Sequence, residues 1–406
     1  MHFVIVSYTF PPSKGIGGRR WAKFSQYLKK QGNKVTVVTA DVGDEKDFYD
    51  KEFKDIQIIR LPKRYPNWLN GEVNSLEEKI KYFFYTRVLA KLDKRNFFDT
   101  AYKWESQLIK TLDDLYRNSS FDVLVVTGAP FSLMAYGATF KKSHQKLKYV
   151  IDFRDPWTWG DYYGMSEMNN KKRNFQKYQE GFAIENADLI CFPTANMGER
   201  LKALYPNHSQ KMSLLPHAYD TEKFKEINLN SDRSGFIYGG TLYNGIESYL
   251  TDLANVLNEN PNSSFKWDIY TGTKFPVIEK LFRKDQVRLN GFVDESVLFA
   301  KIASAKAYLA FFPETDKDLV STKFFEIIYT NTPILYVGEE GEVAKFIREN
   351  RLGVHILPEN ITKELPNYLN GNVPFEKNYF DVTQFTFENV TKDFVRTIEA
   401  EINRPN

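Results

Sequence analysis

A lysine and a carboxylate three residues apart at a helix start form the clearest chemical pattern in this 406-residue chain. They are Lys323 and Glu326, in the run Ser321-Thr-Lys-Phe-Phe-Glu326. Ser321 or Thr322 can cap the helix by accepting a backbone N–H. The spacing then places Lys323 and Glu326 on one face. The free N–H groups and positive pole of a helix start suit a phosphate, and a lysine adds a point charge for the same anion. A carboxylate one turn on can accept both hydroxyls of a vicinal diol such as ribose. Together these groups describe a site for a nucleoside diphosphate. They also fit an ordinary amphipathic helix with a solvated lysine and glutamate.

Two further stretches carry candidate chemistry. The loop Pro11-Pro-Ser-Lys-Gly-Ile-Gly-Gly-Arg-Arg20 follows an apolar strand and precedes a helix. Gly17 and Gly18 would let N–H groups at that helix start approach an anion, or they serve the turn for steric reasons alone. The dinucleotide fingerprint is not matched. Arg20 stands where its third glycine belongs, the loop is too long, and Asp41 only weakly imitates its ribose acid. Arg154 and Asp155 follow the strand Tyr149–Phe153, at the carboxyl end where open α/β sheets bind ligands. The alternative for them is a mutual ion pair that orders the loop.

These residues need a scaffold of alternating strands and helices. Short continuous apolar runs at 3–7, 35–39, 56–61, 123–127, 149–153, 188–193 and 214–217 read as buried strands, with helices over 19–31, 132–142 and 175–186 between them. Residues 219–233 are polar and aperiodic and read as a linker. A second series follows, with strands at 236–238, 267–271, 287–289, 307–310, 334–337 and 354–356. The expected fold class is therefore α/β, with two Rossmann-like doubly wound domains facing across a cleft. The expected domains are 1–218 with a helical insert at about 62–117, then 219–385, then a helix in 386–406 that returns to the first domain. Within 76–104, seven Lys/Arg and four Asp/Glu alternate with eight aromatic residues. Such a stretch suits either a membrane face or a core stripe with a solvated basic side.

Composition narrows the function classes. The net charge of +3 gives no field for nucleic acid. No apolar run reaches the roughly 18–20 residues of a membrane span, and the opening residues read as a strand rather than a secretion signal. Cys191 is the single cysteine, so no internal disulfide or cysteine cluster forms, and a reducing compartment fits. The five histidines lack ligand spacing, so no metal site is expected. The expected location is cytoplasmic, with peripheral contact at the cytoplasmic membrane.

In their order along the chain, several motifs resemble those of retaining nucleotide-sugar glycosyltransferases of the GT-B fold, the large family that includes sucrose synthase. They are Gly17-Gly-Arg-Arg-Trp21, Asp152-Phe-Arg-Asp-Pro-Trp157, Gly239-Gly-Thr-Leu-Tyr243, Val287-Arg-Leu-Asn-Gly-Phe-Val293 and Ser321 to Glu326. The resemblance implies that Glu326 binds the donor ribose and that Asp318, eight positions earlier, faces the transferred sugar in place of the usual glutamate. It implies donor contacts from Gly240, Thr241, Ser321, Thr322, Gly17 and Gly18, with Phe292 and Val293 lining the base. Thr241 and Asn244 stand near the family's phosphate-gripping Arg and Lys, so Lys323 is the expected replacement cation. The family's active-site histidine is missing near Arg154 and Asp155, which become the candidates to orient donor or acceptor. The implied reaction moves a hexosyl or N-acetylhexosaminyl group from a UDP- or GDP-sugar to an acceptor hydroxyl with retention and without cofactor or metal. The implied acceptor is a sugar or lipid-linked saccharide in capsule, O-antigen or exopolysaccharide assembly. The competing readings are a nucleotide-sugar epimerase and a non-catalytic sugar- or membrane-binding protein.

Overall fold

In the computed structural model the described residues are 1–13, 16–41, 53–70, 73, 75–89, 96, 98–160, 165, 168–224, 233–259, 265–317, 320, 322–369 and 382–402. The chain divides into two compact units, Met1–Pro216 with Phe387–Asn406, and His217–Thr386.

The first unit is built on seven parallel strands: β1 (His2–Val6), β2 (Lys34–Ala40), β3 (Gln57–Leu61), β4 (Val123–Gly128), β5 (Lys148–Phe153), β6 (Leu189–Phe192) and β7 (Met212–Leu214), in the order β3-β2-β1-β4-β5-β6-β7. β1, β4 and β6 are buried along their whole length, as expected of parallel strands covered on both faces. The helices are α1 (Ile16–Lys30), α2 (Leu76–Phe84), α3 (Glu105–Asn118), α4 (Ser132–Ser143), α5 (Asn170–Asn186) and α6 (Ala195–Leu204). α1 begins three residues before the expected Arg19, because Gly17 and Gly18 enter its first turn. α5 also starts early, where the Asn169 side chain accepts the Lys172 N–H at 3.0 Å. The last strand is Met212–Leu214 rather than 214–217.

The second unit has six parallel strands: β8 (Phe236–Gly239), β9 (Trp267–Tyr270), β10 (Val287–Asn290), β11 (Ala307–Phe311), β12 (Ile334–Val337) and β13 (Gly353–Ile356), ordered β10-β9-β8-β11-β12-β13. Its helices are α7 (Glu247–Glu259), α8 (Pro276–Leu281), α9 (Glu295–Ala303), α10 (Thr322–Tyr329), α11 (Glu342–Glu349) and α12 (Ile361–Leu369). Strand order reverses between β8 and β11, so their carboxyl ends mark the switch point where such sheets bind ligands. Tyr219, expected in a linker, is instead buried in this unit. Its N–H donates to Phe385 O at 3.0 Å and its ring meets Tyr329 at 5.3 Å.

A final helix, α13 (Phe387–Ile402), packs on α1 of the first unit. Phe387 contacts Phe24 at 5.2 Å and Phe394 contacts Trp21 at 5.8 Å between ring centroids. Among the described residues no helix is long and apolar enough to cross a membrane.

Candidate active site

The switch point of the second sheet brings together several of the residues expected to contact a phosphate. The β8–β11 ladder runs only through Ala307↔Phe236 and Tyr308↔Ile237. Beyond it the Tyr308 hydroxyl takes over, donating to Gly239 O at 2.9 Å and accepting the Gly239 N–H at 3.2 Å. Gly240 N–H donates to Tyr270 O at 2.9 Å, and Tyr238 Oη donates to Thr241 O at 2.7 Å. The N–H groups of both glycines are thus used within the fold.

Gly240 provides space. Its φ of 154° is unfavourable for a side chain, and a Cβ added there would overlap Nζ of Lys323. The ammonium from the first turn of α10 therefore lies directly over the end of β8. Phe324, Phe325, Ile327 and Ile328 anchor α10 in the core, leaving Lys323 and Glu326 half-buried on its other face. Lys323 is not a solvated surface lysine. Burial holds its pKa below the usual lysine range, and the charge of Glu326 partly offsets that shift. A half-dehydrated cation with a carboxylate one turn on is the arrangement expected for phosphate plus ribose. Phe292 is 87% exposed just beyond β10, and Val293 beside it is half-buried. β10 lies two strands from β8, roughly 10 Å away at ordinary strand spacing. Thr241 is exposed at the end of the β8 turn. Asp318 and Ser321 lie outside the described residues, as does the side chain of Thr322.

In the first unit the candidate residues occupy the carboxyl edge of the sheet. Gly17 and Gly18 form the second and third positions of α1. Gly18 is pressed against the loop before it. A Cβ there would lie 2.8 Å from Thr9 O, so close packing by itself requires glycine at this position. Arg154 donates through Nε to Gly128 O at 2.7 Å and through a terminal nitrogen to Ala129 O at 2.6 Å, clamping the turn after β4. Asp155 follows, half-buried.

Two buried networks behind this edge escaped the sequence reading. Asp152, fully buried, accepts from Trp21 Nε1 at 2.7 Å and from the Arg20 guanidinium at 3.3 and 3.4 Å. Arg20 also donates to the carbonyls of Leu215 and Pro216 at 2.6 and 2.9 Å. The Gly17–Trp21 and Asp152–Trp157 motifs are therefore two halves of one buried ion pair that joins α1, β5 and the end of β7. The second network is centred on Glu180, fully buried on α5. It accepts the Thr158 hydroxyl, the Thr158 N–H at 3.4 Å and Tyr205 Oη at 3.1 Å. Burial pushes its carboxyl pKa up, against the pull of those hydrogen bonds. One turn back, Gln176 accepts from Trp157 Nε1 at 2.9 Å. The i, i+4 pair Gln176 and Glu180 thus fixes the loop that carries Asp155, and the only sequence signal for it was polar residues on a helix face that must be buried. Among the described residues no cluster of three His, Cys, Asp or Glu is placed to hold a metal.

The profile of Glycosyltransferase Family 4 matches residues 17–223, just over half the chain. The chain belongs to that family. No curated protein sequence matches this family 4 chain. Solved structures do. An alpha,alpha-trehalose-phosphate synthase (UDP-forming) from Burkholderia vietnamiensis has TM-score 0.66 at 11% identity, covering 98% of each chain. The lipopolysaccharide outer core galactosyltransferase WaaB, in apo form, has TM-score 0.62 at 13% identity, covering 99% of this chain and 100% of that one. A UDP-GlcNAc 2-epimerase from Neisseria meningitidis bound to UDP-GlcNAc has TM-score 0.56 at 14% identity, covering 98% and 100%. At such identities the likeness shows the fold, and that fold is GT-B.

Proposed function

We propose that this family 4 protein transfers a sugar from a UDP-sugar to an acceptor hydroxyl with retention of configuration. The observation that carries the proposal is the Lys323 ammonium held over Gly240 at the switch point, with Glu326 one turn along the same face of α10. UDP is favoured over other nucleotides by two of the similar structures, a UDP-forming synthase and an epimerase bound to UDP-GlcNAc. In the transfer, the bond from the anomeric carbon to the β-phosphate oxygen breaks and a bond to the acceptor oxygen forms. The acceptor proton passes to the departing phosphate oxygen. The difficulty is the negative charge that grows on the diphosphate. In this reading Lys323 and the N-terminal pole of α10 stabilise it, which is the electrostatic route to rate enhancement. In this scheme no metal is required. Glu326 holds the ribose, Phe292 and Val293 flank the base, and Asp155, on the loop fixed by Glu180, orients the acceptor. A lipid-linked saccharide in bacterial surface polysaccharide assembly is the proposed acceptor, supported by the name of the similar lipopolysaccharide galactosyltransferase.

The test is a thermal-shift screen against UDP, GDP, ADP, dTDP and CMP, followed by transfer assays on Lys323→Ala and Glu326→Ala. A ligand at about 100 times its Kd adds roughly 2.7 kcal/mol of stability, so UDP should stand out. Wild-type transfer rates in both variants would remove the assignment. The epimerase from Neisseria meningitidis supports a second reading on the same fold. It requires an epimerised donor to form with no acceptor present, whereas the transferase reading requires an acceptor-dependent product.

A further inference from the structure

α2 carries apolar side chains on both faces. Ser75 caps it, accepting the Glu78 N–H at 3.1 Å, and a π-helical turn, Tyr85–Leu89, extends it. The inner face is satisfied. Tyr82 and Tyr85 pack against a small cluster of Tyr65, Leu69 and Tyr102, the Tyr85 and Tyr102 hydroxyls are hydrogen-bonded, and Trp68 meets Tyr85 edge-on at 5.6 Å. The outer face is open to water, with Leu76 75%, Ile80 62%, Phe83 62% and Phe84 52% exposed. At 100° per residue these four side chains form one stripe. Cations border it. Lys79 lies on one side and Lys81, paired with Glu77, on the other. Arg87 lies along the stripe with its guanidinium 5.4 Å from the Phe83 ring centroid.

From this geometry we infer that the outer face of α2 docks on the surface of an anionic phospholipid bilayer. Side chains that would cost free energy in water enter the acyl boundary, while lysine stems reach back to the headgroups. The basic border complements anionic headgroups. A nine-residue helix is far too short to span the bilayer, so it lies in the plane of the surface. The inference makes no use of the donor-site reading and goes beyond it.

The experiment is co-sedimentation of the full chain, without substrate, with vesicles of phosphatidylglycerol and phosphatidylethanolamine or of phosphatidylcholine alone. Wild-type protein is expected to partition onto the anionic vesicles, less onto the neutral ones, and less again at high salt. Ile80→Ser with Phe83→Ser should lower that partition at least about tenfold, and Lys79→Glu with Arg87→Glu should erase the preference for anionic lipid. Both variants should keep the wild-type melting temperature and UDP response. Wild-type protein that stays in the supernatant, or an Ile80/Phe83 variant that sediments like wild type, overturns the inference. So does light scattering that shows a wild-type dimer broken by the same substitutions, which would assign the face to a second copy. Loss of the UDP response with vesicle binding intact would count against the donor site only.

Discussion

Lys323→Ala separates a ligand-binding lysine from a structural one. An ammonium 4 Å from one phosphate charge is worth roughly 4 kcal/mol at an effective dielectric constant of 20. Part of that is already spent, because Glu326 shares the field of the ammonium and burial has stripped some of its water. A net loss of about 2–3 kcal/mol remains, which is roughly 30- to 150-fold in UDP affinity at 1.4 kcal/mol per decade. Titration calorimetry with two ligands reads the effect. UDP should weaken by that factor while uridine, which has no phosphate, binds as before. The apoprotein should melt within about 4 °C of wild type, because a cation disfavoured by burial is being removed. Unchanged UDP affinity would refute the placement of phosphate over Gly240. An equal loss for UDP and uridine would make Lys323 a structural residue instead.

The remaining predictions use the same groups. UDP affinity should decline as pH rises through the depressed Lys323 pKa, because the neutral amine must take up a proton to bind. The fall should begin below the pH at which an ordinary lysine titrates and approach tenfold per pH unit, measured by calorimetry in buffers of differing ionisation enthalpy. Glu326→Ala should weaken UDP by about 1.5–3 kcal/mol, as for a hydrogen bond to a charged group. In that variant UDP and its 2′-deoxy analogue should bind alike, whereas wild type should discriminate between them. Asp152→Asn leaves the Arg20 charge buried without its counter-ion and should cost about 3–5 kcal/mol, measured by denaturant unfolding. Transfer should persist in EDTA at the untreated rate if Lys323 supplies the charge stabilisation, and a loss restored by added metal would contradict that role.

The strands were legible because parallel strands buried on both faces read as unbroken apolar runs. Residues 334–337, for example, became β12 with unchanged bounds. The pairing of Lys323 with Glu326 was legible from helix spacing alone. Less was visible where a residue's environment comes from distant sequence. Tyr219 looks like linker until Phe385 and Tyr329 cover it. Arg20 and Asp152 look like separate polar residues until the fold brings α1 onto β5. The aromatic stretch after Leu76 left a membrane face and a core stripe open, because spacing alone does not say which side of the helix is covered. Tyr82 and Tyr85 face inward while Ile80 and Phe83 face water. The space over Gly240 could not be read at all, because it depends on a side chain from a helix on the far side of the switch point.

α13 has a consequence for how the chain is made. The aromatic layer of Phe3, Trp21 and Phe24 is closed by Phe387 and Phe394, which a ribosome adds only after the entire second unit has been synthesised. The first unit therefore leaves the exit tunnel with that layer uncovered. A nascent chain arrested before Phe387 should present a sticky aromatic surface to chaperones even though its second unit is complete.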